Sequence, residues 1–153
     1  MKIMKRSIFI FILSVFFLSA FPQQSIKLSQ LVNTSWLHTM KASKGYSDKL
    51  SFVKSSVENE TVYEFYNLKR EHQRKVYRQS CPFYLSNNVP DEFDSSKEGK
   101  VKRGRYLVIK VKSGFECFEV ISFSSQLLCI KPAYPKTREV IGVPEIIRYV
   151  RIN

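Results

Sequence analysis

From about residue 35 to the C-terminus, apolar side chains recur at every second position in short runs rich in β-branched and aromatic residues, each bounded by turn-forming clusters. This period predicts strands at Ser35–Lys41, Lys49–Lys54, Thr61–Leu68, Arg74–Leu85, Arg105–Lys112, Phe115–Phe123, Gln126–Lys131 and Glu145–Ile152. Alternation is clearest in Tyr106-Leu107-Val108-Ile109-Lys110-Val111-Lys112, where Lys110 and Lys112 mark the wet face and Leu107, Ile109 and Val111 the core face. The same rule turns Leu50 and Phe52 inward. Ahead of the first strand the spacing changes: Ile26, Leu28 and Leu31-Val32 recur at helical intervals, predicting one short helical turn within residues 25–33.

The joins constrain how these strands pair. Ser113-Gly114 predicts a tight hairpin because glycine accepts positive φ, and Ser124-Ser125 predicts another, so three consecutive strands form a meander. Two joins are longer. Residues 86–104 are polar, with Pro90 and Phe93 as anchors, and the other runs from Pro132 to Pro144. Eight antiparallel strands after a helical turn predict an all-β, eight-stranded up-and-down barrel, because closing the sheet removes unpaired edges.

The first twenty residues follow a different rule. Lys2, Lys5 and Arg6 precede an apolar and Ser run from Ser7 to Ala20, the layout of a cleavable secretory signal. That run has fourteen residues, short of the about 20 that a spanning helix needs. The expectation is removal of residues 1–20, with cleavage placed to within a few residues, and one domain over 21–153, secreted or periplasmic, without a membrane span and monomeric. The first cysteine is Cys81, which excludes lipid attachment directly after the signal.

Charge narrows the partners. The chain has 25 basic and 13 acidic residues, net +12; without Lys2, Lys5 and Arg6 the balance is 22 to 13, or +9. Such a surface favours an acidic protein or an anionic envelope polymer. The densest basic surface is predicted at Lys69, Arg70, Arg74, Lys75 and Arg78, on a hairpin end and the strand after it. It lacks an RNA-recognition or helix-turn-helix signature, and export removes nucleic acid as a partner.

Candidate chemistry is sparse. Cys81, Cys117 and Cys129 allow at most one intrachain bridge; Cys117–Cys129 flanks a predicted hairpin, and three buried thiols are the alternative. No metal is expected, since there is no Cys-x-x-Cys and only His38 and His72 add imidazole. Asp91, Glu92 and Asp94 lack the spacing of a Ca²⁺ loop and suit capping or a solvated turn. No nucleophile elbow or paired carboxylate stands out, so neither catalysis nor a cofactor is expected.

At Leu31-Val32-Asn33-Thr34-Ser35-Trp36 the chain resembles the lipocalins, in which a helical turn leads into Gly-x-Trp at the start of the first strand; Thr34 stands here in place of the Gly. The resemblance implies that Trp36 plugs the closed end of the barrel beneath a basic side chain of the last strand, either Arg148 or Arg151, held by cation–π attraction. Phe83-Tyr84-Leu85-Ser86, Pro90-Asp91-Glu92-Phe93-Asp94 and Gly104-Arg105-Tyr106 are similar to stretches of small exported bacterial lipocalin-like (calycin-type) proteins of unassigned function.

Two functions follow as expectations. One is a non-enzymatic binding protein that holds a small apolar or amphipathic ligand in the barrel, with His38, Met40, Leu50, Phe52, Phe65, Leu107, Ile109 and Val111 as candidate cavity residues. The other is an interaction module with a filled barrel, docking an acidic protein or an anionic envelope polymer through its basic surface.

Overall fold

A computed structural model describes residues 24–42, 46–57, 60–71 and 74–153, with side chains described outside 41–47 and 55–80. The expected signal at 1–20 lies outside the described residues. The fold is mostly antiparallel β. Strands β2 (Thr34–His38), β3 (Tyr46–Val57), β4 (Glu60–Glu71), β5 (Arg74–Ser86), β7 (Tyr106–Val111), β8 (Gly114–Phe123), β9 (Leu127–Ala133) and β10 (Ile147–Arg151) pair in that order. β10 bonds to both β9 and β2, so the sheet curls until its ends meet.

Alternation sets the two faces. Leu50 and Phe52 on β3, Phe83 and Leu85 on β5, Leu107 and Ile109 on β7, Val120 on β8, Leu128 and Ile130 on β9 and Tyr149 on β10 share one interior core. Burying each large apolar side chain contributes roughly 1.5–3 kcal/mol. The opposite face of β5, β7 and β8 carries a smaller outer core of Tyr84, Val108 and Cys117. Residues 87–102 fold over it. Val89 and Phe93 anchor that loop, with the Phe93 ring 5.1 Å from Tyr84, while Pro90 is only half-buried outside this cluster. Asp94 caps the 3₁₀ turn Ser95–Lys97 by accepting from the Ser96 amide at 3.0 Å, and its carboxyl is held below the usual range chiefly by the Ser96 hydroxyl. The acidic loop thus caps, as its spacing implied.

The helical turn is α1 (Leu28–Leu31), shorter than the 25–33 window, and it is preceded by a strand that the pattern did not foresee. That strand, β1 (Ile26–Lys27), pairs with β6 (Arg103–Gly104). Asn33, at φ 60, reverses the chain into β2, a conformation that Asn tolerates better than most residues. The turn between β7 and β8 falls at Lys112-Ser113, one residue earlier than expected, because Gly114 already pairs with Val111. In the next turn the Ser124 hydroxyl accepts from the amides of Gln126 and Leu127, and Ile121 sits at a bulge in β8.

Two expectations fail on register. β2 ends at His38, its last pair with β10 being Tyr149↔His38, so the first strand does not reach Lys41. Met40 lies instead on the helical turn α2 (Thr39–Ala42), 60% exposed, and does not line the interior. The Cys117–Cys129 bridge is absent, with both thiols buried and unbridged. Cys117 pairs with Ala133 and Cys129 with Ser122, an offset of four to five residues that at about 3.4 Å each separates them by roughly 15 Å. A bridge needs Cα atoms within about 7 Å.

Burial in the outer core pushes the Cys117 thiol up from 9.0 to about 12, with the Glu119 charge adding to it. It therefore stays protonated and unreactive at neutral pH. Folded protein at pH 8 is expected to leave all three cysteines unlabelled by a thiol reagent within minutes, and unfolded protein to label three per chain by mass spectrometry. A single labelled cysteine after unfolding without reductant would count against unbridged thiols.

Candidate functional site

One end of the barrel is shut. Trp36 is fully buried, its indole N–H donates to the Thr34 hydroxyl at 2.7 Å, and the Phe123 ring lies 5.7 Å away. Arg151, directly opposite Trp36 in the ladder, places its guanidinium 6.0 Å from the indole centre, at the outer reach of cation–π attraction. Arg148 is three positions earlier, pairs with Cys129 and is exposed, so the indole is covered by Arg151 and not by Arg148. Gln24 pins the N-terminal segment here by accepting from and donating to the Phe123 backbone, both at 2.7 Å. Ile26, Leu28 and Leu31 pack beneath.

Above this plug the described inward side chains are buried against one another in one core. Leu50, Phe52, Leu107 and Ile109 are between 0 and 2% exposed, and the Phe52 and Phe83 rings meet edge-on at 5.3 Å. Solvent does not reach these four candidate cavity residues. Val111, nearer the other end, is half-buried. Phe65 pairs with Phe52 in the ladder, and its side chain lies outside the described residues.

The opposite end carries polar groups on the inner wall. Tyr149 and His38 are cross-strand partners whose rings meet nearly perpendicularly at 5.2 Å. Asp48, one step beyond the Leu37↔Lys49 pair, is 5% exposed, and so is Tyr149. The Tyr149 hydroxyl is pushed above its ordinary range first by burial and then by the negative charges of Asp48 and Glu116, so it remains a donor throughout the physiological range. Glu116 pairs with Ile109 and shares its face.

Two of the loops at this end carry exposed apolar side chains. Met40 on α2 and the join between β9 and β10 expose large hydrophobic side chains, Ile141 and Val143 standing almost wholly in solvent. The Thr39 hydroxyl ties α2 to the start of β10 by donating to the Arg148 carbonyl at 3.3 Å. Among the described residues, His38, Asp48 and Tyr149 thus form a polar patch on the inner wall, below exposed apolar side chains of two of the loops at this end.

The basic stretch singled out in the sequence sits at the same end. Register pairs Arg70 with Lys75, Lys69 with Tyr77 and Leu68 with Arg78, next to the β4–β5 turn, with Arg74 opposite Glu71. The side chains of Lys69, Arg70, Arg74, Lys75 and Arg78 lie outside the described residues. Among the described residues, no group of three or more His, Cys, Asp or Glu is placed to hold a metal ion, and no helix is long and apolar enough to cross a membrane.

Sequence reasoning missed a groove outside the closed end. Lys27, Lys54, Lys102 and Arg103 line about 600 Å³ together with Leu28 and Val32. They come from three separate segments, brought together by the β1–β6 ladder and by Asn33, whose amide donates to the Phe52 carbonyl and whose side chain accepts from the Lys54 amide. No protein-family model matches the chain, and no match was found among the curated proteins or the solved structures.

Proposed function

We propose that this chain is a non-enzymatic, exported binding protein of lipocalin-like architecture, holding an amphipathic ligand at the mouth of its barrel. The observation that carries this reading is the layering there. His38, Asp48 and Tyr149 form a polar patch on neighbouring strands between exposed apolar loop side chains and the buried core residues Leu50 and Phe52. A ligand with an apolar body and a polar head buries surface against the loops and orients its head on the patch, the usual division of labour in small-molecule sites.

The test is displacement of a fluorescent fatty acid from the purified protein. Amphipathic competitors are expected to displace it, and Tyr149→Phe should weaken binding about 3–10-fold, the worth of one hydrogen bond. A panel of amphipathic ligands that all fail to bind would sink the reading.

The second reading, an interaction module that docks an acidic protein or anionic envelope polymer, is favoured by the solvent-free interior at Phe52, Leu107 and Ile109. Salt separates the two. Charge-driven docking collapses as ionic strength rises, whereas apolar binding at the mouth barely responds.

A further inference from the structure

Lys27 and Arg103 stand directly opposite each other in the β1–β6 ladder, which is only two residue pairs long. Like charges in that position repel and weaken the pairing. Among the described residues no carboxylate lies within salt-bridge distance of Lys27, Lys54, Lys102 or Arg103. Asp94 is taken by Lys97 at 3.5 Å, and Glu119 by Arg105 and Lys131 at 3.4 and 3.3 Å. Lys102 donates only to the neutral carbonyl of Gly99.

These four cations line one groove of about 600 Å³ that contains no acid. Its size falls within the range of small-molecule sites, about 300–1,000 Å³, and is too small for a protein domain. Concave surfaces lined by one sign of charge concentrate counter-ions. A phosphate ester brings up to two negative charges and several acceptor oxygens, which a guanidinium and lysine ammoniums satisfy together. Half-buried Val32 supplies an apolar wall beside the charges, which a simple inorganic anion would leave unused.

We propose that this groove binds the phosphate headgroup of an amphiphile, with the phosphate among Lys27, Lys54, Lys102 and Arg103 and the adjoining methylene groups against Val32. The repulsive Lys27↔Arg103 pair is then the counterpart of a negative ligand. The site lies at the opposite end of the barrel from the mouth and stands or falls separately from it.

Calorimetric titration of the purified protein with lysophosphatidic acid, below its micelle concentration, tests this against inorganic phosphate and an uncharged monoacylglycerol. Lysophosphatidic acid is expected to bind at least tenfold more tightly than either. Lys27→Glu should reduce that affinity at least tenfold while raising the unfolding midpoint, because a repulsive pair becomes attractive, and should leave fatty-acid displacement at the mouth unchanged. Arg103→Gln should weaken binding in the same direction. Three results would overturn the proposal: the monoacylglycerol binding as tightly, inorganic phosphate binding as tightly, or Lys27→Glu leaving the affinity intact.

Discussion

Trp36→Ala is expected to cost about 3–5 kcal/mol, the usual range for truncating a buried Trp. Most domains have only about 5–15 kcal/mol in total, so the variant should unfold at a much lower denaturant concentration or fail to accumulate folded. The reasoning is geometric. Trp36 touches three parts of the closed end at once: Thr34 through its N–H, Phe123 through its ring edge and Arg151 through its face. Removing the indole leaves a cavity at a place that β2, β8 and β10 cannot collapse to fill, because their ladders hold them apart. Trp36→Phe should cost clearly less, since it keeps most of the volume and loses the hydrogen bond. Urea unfolding followed by circular dichroism reads both. A loss below about 1 kcal/mol in Trp36→Ala would mean that the indole is not a plug.

Gly104→Ala should be the second most damaging change, for a reason unrelated to glycine's flexibility. A Cβ at this position would lie 2.7 Å from the Ser86 carbonyl oxygen, 2.8 Å from the Ser86 nitrogen and 3.0 Å from the Leu85 Cβ. The first two are backbone atoms at the end of β5, so no rotamer relieves the overlap. Overpacking of this kind costs typically about 1–3 kcal/mol. The displaced element would be β6, which holds β1, and through it α1 and the N-terminal cover of the barrel. The variant should therefore lose stability and also amide protection at Ile26 and Leu28, measurable by hydrogen exchange. Wild-type stability together with unchanged protection would show that β6 yields freely.

Much of the sheet was legible because its signal is local. Eight period-two runs became eight paired strands with ends displaced by at most three residues, and Leu50, Phe52, Leu107 and Ile109 all turned inward. What alternation cannot say is whether an inward face meets a cavity or another side chain. Those four residues were read as cavity lining and are packed against each other. Arg148 and Arg151 were indistinguishable for a related reason. They lie an odd number of residues apart and so on opposite faces, and only the Arg151↔Trp36 register selects between them. Thr39-Met40-Lys41 extended the alternation of the first strand with no breaker to stop it. The strand stops where β10 ceases to pair with it. The β1–β6 ladder is two pairs long, too short to carry any period, so the groove it helps to assemble from Lys27, Lys54, Lys102 and Arg103 left no mark in the sequence.

The polar mouth was half visible. His38 was singled out by its place on the first strand, whereas neither Asp48 nor Tyr149 stood out from its neighbours in the sequence. Their convergence depends on β10, β2 and β3 being neighbours, a consequence of ring closure. Closure joins the last strand to the first and so brings the two ends of the chain into one site.

The proposed ligand is expected at the mouth of the barrel. Amide and methyl chemical-shift mapping during titration with a fatty acid tests this placement directly. The expected result is saturable shifts at His38, Met40, Asp48 and Tyr149 with Phe52, Leu107 and Ile109 unmoved. Shifts centred on the packed interior instead, or none at the mouth at saturating ligand, would contradict it.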